Sequence, residues 1–309
     1  MMIKLQAIYK NYLWGGRKLA TDFGKQCNGE ILAESWELSC HPDGLCTIAN
    51  GPYAGNTLLD YVTNHPEVLG ENCKKYKTFP ILIKLIDAKQ SLSIQVHPDD
   101  DYANEVEGDN GKNEMWYIVD ATKDAFIYYG FNQSITKEAY RERIANGTLL
   151  AVLNKVSVKK GEHFFIKAGT VHAIGAGCLI AEVQQSSNVT YRVYDFDRRD
   201  ANGNLRELHI DKAIAVSALS KPVQLESNSK LVESKYFTTE KVEVTGTPKH
   251  YVATNQSFHA LLVVEGSGFI TCGSEAMPLH KGETLFISAN SGTYTLTGTL
   301  EALLTYMDY

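Results

Sequence analysis

The sequence has no CxxC pair and no regular cysteine framework. Its six cysteines, Cys27, Cys40, Cys46, Cys73, Cys178 and Cys272, are scattered, which argues against a cysteine-ligated zinc finger or a disulfide scaffold and favours reduced thiols. It has no excess of basic charge either. Lys plus Arg number 30 against 36 for Asp plus Glu, so no positive field is available for nucleic acid or anionic lipid, and a small-molecule role is favoured. Long apolar runs are missing. The most apolar stretch, Phe79–Asp87, is interrupted by Lys84 and is too short to cross a bilayer. The N-terminus has no apolar core followed by a small-residue cleavage site. The expectation is a soluble cytoplasmic protein that contacts neither nucleic acid nor membrane.

Helical periodicity is also scarce, being confined to Thr57–Asn64, Thr136–Ala145 and Ile210–Leu219. Short alternating or β-branched runs dominate instead: Leu92–His97, Met115–Val119, Ala125–Tyr129, His163–Lys167, Cys178–Val183, Thr190–Tyr194, Ala260–Val264 and Thr284–Ser288. Separated by Gly, Asn and Asp, they predict a mainly β sandwich or barrel with helices as decoration.

The chain contains an internal repeat. Lys160–His172 can be laid on Lys281–Thr293 with Lys, Gly, Glu, Phe, Ile and Ala in step, and the segment from Glu114 fits the segment from His259. Two related β units are implied, and the second has Thr293 where the first has His172. A Ser-, Lys- and Pro-containing stretch near residues 220–235 suits a linker. We therefore expect a metal-binding unit with helical decoration over 1–220 and a metal-free β unit over 221–309.

Gln95 and His97 are two residues apart, so on a strand their side chains leave from one face while Ile94 and Val96 leave from the other. Taken alone, His97 reads more readily as a satisfied structural histidine than as a ligand. Glu114, placed to open a second strand, and His172, after the Ala168–Thr170 turn, change the balance. Two imidazoles, a carboxylate and a carboxamide suit Zn²⁺ at ligand distances of about 2.0–2.2 Å, and the absence of sulfur suits a site open to water or substrate.

In chain order, Phe79–Asp87, Leu92–Asp99, Gly111–Trp116, Ala168–Ala173 and Glu182–Arg192 resemble type I mannose-6-phosphate isomerases, and the likeness covers most of residues 1–215. The length and the segment Tyr191–Arg198 resemble the family's short bacterial branch. The resemblance implies a double cupin of jelly-roll barrels with a small helical portion attached to the first unit. It implies one Zn²⁺ per chain on Gln95, His97, Glu114 and His172, and a catalytic arginine at Arg192. It further implies a phosphosugar substrate, with mannose 6-phosphate and fructose 6-phosphate interconverted through an enediol.

Other assignments stay open in the sequence. Glu182 reads equally as a proton-transfer carboxylate or a salt-bridged framework residue, and the base could also be His172 or a metal-bound water. Lys84 and Lys112 could meet a phosphate, although Lys112 also reads as an ordinary surface lysine. Ser93 shares parity with Gln95 and could bond substrate. Trp14, Trp36 and His41 resemble family positions but read equally as core or rim. Asn188 departs from the family's usual Asp four residues before the catalytic arginine. That leaves an isomerase of another phosphosugar, or a catalytically weak sugar-phosphate-binding or regulatory cupin, as alternatives.

Overall fold

The computed structural model describes residues 1–27, 29–199, 202–222 and 230–308. Residues 223–229 of the expected 220–235 linker fall outside them. Strand dominates, as the alternating patterns require, and three antiparallel sheets carry the molecule. A six-stranded sheet runs in the order His163–Ile166, Glu114–Ala121, Cys178–Gln185, Ile81–Ala88, Glu34–Leu38, Ile8–Lys10. A five-stranded sheet runs Tyr191–Tyr194, Ile94–Val96, His172–Ile174, Phe126–Phe131, Leu153–Ser157. Together these two sheets supply the side chains of the first β unit's polar interior.

The expected strands lie inside or within a few residues of observed ones. The helices Leu58–Asn64 and Lys137–Ala145 are capped by Thr57 and Thr136, whose side chains accept the backbone N–H of Asp60 and Ala139. Ile210–Val216 stops short of the expected Leu219. Two helices have no counterpart in the periodicity. Lys18–Phe23 is too short to declare a 3.6-residue period, whereas Asp100–Val106 is announced by its cap, Asp99, which accepts from the Tyr102 N–H.

The third sheet is built on the C-terminal strands Thr238–Thr245, Gly292–Tyr306, His259–Cys272 and Thr284–Ile287, and is extended by Met2–Gln6 from the far end of the chain. Met2 pairs with Ile287 and Lys4 with Leu285. Both faces of the six-stranded sheet are covered, which is why Ile81–Ala88 and Cys178–Gln185 are buried at every position. Ile83, Leu85, Met115, Ala181 and Val183 share one core cluster with Ala260, Leu262, Val264 and Leu303 of the C-terminal strands. The opposite face of the six-stranded sheet is left to line the polar interior.

Leu262 is fully buried in that shared core. Leu262→Ala should cost about 2–5 kcal/mol and lower the urea midpoint of the whole molecule in one transition. A second transition appearing at the original midpoint would show that the shared core does not couple the two units.

The repeat is visible in the backbone. Gly161 and Gly282 occupy corresponding turns with φ of 90° and 85°, and Gly169 and Asn290 follow with φ of 87° and 60°. Glu114 pairs with Ile166 as His259 pairs with Ile287. One detail differs from the sequence alignment. Thr293 is exposed, and it is Tyr294 that is buried and faces His259.

Candidate metal centre and active site

Register brings the distant polar residues together. In the five-stranded sheet, Gln95 is directly opposite both His172 and Arg192, and directly opposed residues in antiparallel strands project from the same face. In the six-stranded sheet, Glu182 lies opposite Trp116 on one side and Lys84 on the other, and Lys84 lies opposite Trp36. Glu114, two residues before Trp116, shares its face. The two faces enclose a cavity of about 280 Å³ whose lining includes Lys84, Ser93, Gln95, Lys112, Glu182 and Arg192.

Against its lining residues Lys112 and Trp116, His97, Glu114 and His172 bring candidate ligand atoms within 4.8 Å of one another, all three side chains being buried. His97 Nε2 is 3.2 Å and His172 Nε2 3.8 Å from the Glu114 carboxylate. Each imidazole donates from Nδ1 to a backbone carbonyl, Val189 O for His97 and Thr170 O for His172, both at 2.8 Å. A carbonyl only accepts, so these bonds fix the Nδ1–H tautomer and turn both Nε2 lone pairs toward Glu114. His172 Nε2 has no protein hydrogen-bond partner. A buried acceptor left unpaired is costly, and this donor set fits a divalent metal of the zinc type. Gln95 Oε1 accepts from Ser93 Oγ at 3.4 Å. Burial, together with the neighbouring Lys112 cation, pushes the His97 pKa down to about 3, and burial also lowers that of His172, so both rings are neutral as metal coordination requires. Burial alone would raise the Glu114 pKa, but the Lys112 ammonium beside it holds it well below the ordinary carboxylate range.

The two lysines are committed to carboxylates. Lys112 is buried, in contrast to the surface position the sequence allowed, and its ammonium is 2.6 Å from Glu114 Oε1 and 3.2 Å from His97 Nε2. Lys84 is also buried, 3.4 Å from Glu182 and 3.8 Å from Glu34. Burial opposes its charge, but the two carboxylates more than offset this and raise its pKa. Glu182 accepts the indole N–H of Trp116 at 2.8 Å. Burial, reinforced by the Glu114 charge, pushes the Glu182 pKa up to about 7.

Arg192 donates from Nη1 to the carbonyl of Glu207 at 2.9 Å, while its buried Nε has no partner. Asn188 also lines the cavity and donates to Asp43 Oδ2 at 2.7 Å. Trp14 lines the cavity, and Trp36 donates to Glu34 beside it. His41 lies outside the cavity lining, near Asp43 and Asp109. Tyr12, Glu34 and Arg206, none of them singled out from the sequence, also line the cavity. Glu34 could have been found from the Glu34-x-Trp36 alternation, whereas Arg206 arrives on a loop with no periodic signal.

A double-unit β protein with a buried His–Glu–His cluster beside a polar cavity has the architecture of a cupin with a candidate metal centre. Residues 2–128 match the phosphomannose isomerase type I catalytic domain, and residues 227–307 match the mannose-6-phosphate isomerase cupin domain. The chain is 38% identical to the mannose-6-phosphate isomerase of Streptococcus mutans over 98% of its own length and 97% of the relative's. Its fold superposes on the mannose 6-phosphate isomerase of Bacillus subtilis with a TM-score of 0.91 at 36% identity, covering 98% of this chain and 99% of that one. A zinc-bound mannose 6-phosphate isomerase at 18% identity shares the fold, with a TM-score of 0.81 and full coverage of both chains. The chain belongs to the type I phosphomannose isomerase family, and its activity is that of a mannose-6-phosphate isomerase. Among the described residues, no helix is long and apolar enough to cross a membrane.

Proposed function

We propose that one Zn²⁺ per chain is held by Gln95, His97, Glu114 and His172, and that the cavity above it interconverts mannose 6-phosphate and fructose 6-phosphate. The convergence of the two Nε2 atoms on Glu114, with His172 Nε2 buried and unpartnered, carries this reading. The bound ion supplies Lewis-acid stabilisation of charge on the sugar oxygens. Coordination by His97 Nε2 requires Lys112 to release that atom, which frees the ammonium for a substrate oxygen. Lys84 stays between its carboxylates and bonds sugar hydroxyls, Ser93 Oγ accepts from another, and Arg192 stabilises the oxyanion through its unpaired Nε–H.

Glu182 acts as the base. It takes the proton from C2 to give the enediol and returns a proton to C1, while the hydroxyl proton passes from O2 to O1, so no atom is gained or lost. Its burial raises its pKa toward the working pH, which favours reversible proton transfer. The ionised form accepts the proton, so kcat/KM should rise with pH through a limb at or below about 7, and a nearby metal cation would draw that limb downward. Glu182→Gln should abolish both turnover and exchange of the C2 hydrogen with deuterated solvent, followed by NMR. Retained exchange in this variant would remove Glu182 from the role.

Residues 1–220 form the catalytic unit in this proposal, and residues 221–309 form a metal-free cupin-like unit in the cytoplasmic enzyme. Support for the division is that both sheets facing the cavity lie within the first range. Purified chain stripped with a chelator and titrated with zinc should recover fructose 6-phosphate formation at one equivalent, with other hexose phosphates turned over more slowly. A better substrate in that panel would reassign the sugar while leaving the metal chemistry intact.

A further inference from the structure

The second β unit has a cavity where the first has its metal cluster. Register makes the equivalence specific. His259 lies opposite Ile287 as Glu114 lies opposite Ile166, and the turns that follow share their positive-φ positions. Around His259 is a cavity of about 390 Å³ lined by Tyr251, Tyr306, Glu240, Gln256 and Ser257 among others. That volume falls within the ~300–1,000 Å³ range of small-molecule sites.

The lining chemistry selects the ligand. His259 Nδ1 shares a 2.8 Å hydrogen bond with the buried Tyr294 hydroxyl, leaving Nε2 as the ring atom available to a guest. Burial lowers the His259 pKa to about 4, so the ring is neutral. Glu240 Oε1 accepts from the Tyr306 hydroxyl at 2.6 Å, leaving Oε2 to accept from a guest. Tyr251 stacks on Tyr294 at a centroid distance of 5.6 Å and presents an aromatic wall. The lining contains no lysine or arginine. The nearby Lys230 is held 2.9 Å from Asp308 and 3.4 Å from Glu233, so a phosphate dianion has no free cation to meet. Glu240, His259 and Asp308 do not converge as His97, Glu114 and His172 do, so among the described residues they form no metal-ligand set.

We propose that the mouth of the C-terminal barrel binds a neutral polyhydroxylated ligand, an unphosphorylated sugar or sugar alcohol, using Glu240, His259 and the faces of Tyr251 and Tyr306. Ligand hydroxyls pair with the carboxylate and imidazole, while ring C–H groups lie against the tyrosines. The repeat has in this way given two pockets of opposite preference, one rich in cations and metal ligands, the other aromatic and carrying Glu240 and Asp308 as its charged lining residues.

The test is ligand-detected NMR titration of the zinc-loaded full chain with methyl α-mannopyranoside, which cannot isomerise, and with mannitol, mannose 6-phosphate and zinc as further arms. Saturable binding of the mannoside or of mannitol in the millimolar range is expected, weakened about tenfold or more by Tyr251→Ala and by the milder Glu240→Gln. Arg192→Ala should leave that binding intact. Tyr251→Ala should leave kcat and KM for mannose 6-phosphate unchanged. Absence of saturation, equal binding in both pocket variants, loss of binding in Arg192→Ala, or zinc or phosphosugar binding that the pocket variants weaken would each overturn the proposal.

Discussion

Glu114→Ala should lose its metal and more than about a hundredfold in kcat/KM, since even outer-shell partners of metal ligands are worth 10- to 100-fold. The carboxylate sits between both histidines and Lys112, at 3.2 Å, 3.8 Å and 2.6 Å. Its removal also leaves the buried Lys112 ammonium without its counter-charge, a class of loss that costs about 3–5 kcal/mol. Two readouts therefore move together. Bound zinc falls below stoichiometric by elemental analysis, and added zinc no longer raises the melting temperature as it does for the parent. A Glu114→Ala protein that retained zinc-dependent stabilisation would place the ion elsewhere.

Arg192→Ala should lower kcat by about 10²–10³, the usual loss for one donor aimed at a developing oxyanion, while zinc content stays at the parent level. The guanidinium is tethered through Nη1 to the Glu207 carbonyl, and its Nε is buried without a partner, so it is held in place with a donor to spare. Arg192→Lys should not restore the rate. A lysine is a point charge and cannot make the tether and the substrate contact in a fixed fork. A variant with raised KM but unchanged kcat would make Arg192 a uniform binding group and take the oxyanion from it.

Much of this site is legible along the strands and little of it across them. Gln95 and His97 announce a shared face because parity along a strand is local, and the Ala168–Thr170 turn announces His172 for the same reason. The pairing that sets Gln95 opposite both His172 and Arg192 joins segments dozens of residues apart, and no local pattern encodes that register. Lys112 shows the same limit. Its neighbours in sequence are polar, yet it is buried because Glu114 and His97 converge on it. The apolar flanks of Lys84 suit a buried position, but its partners Glu34 and Glu182 come from the strands on either side. The two functions weighed for Glu182 are compatible in the fold, since a carboxylate anchored by Trp116 and Lys84 still faces the cavity.

At the scale of the fold, the repeat and the β composition point to two units, and neither shows that Met2–Gln6 completes the sheet of the C-terminal one. A strand of five residues is too short to declare a period. Thr293 marks a related limit, because a sequence alignment can hold the turn in register and still place the inward side chain one residue early.

The measurement that bears most directly on the central claim is a zinc-edge anomalous difference map from crystals of the zinc-loaded chain. A single strong peak bounded by Gln95, His97, Glu114 and His172 is the predicted result. A peak at any other residues, or no peak in protein that is active and zinc-replete, would contradict it.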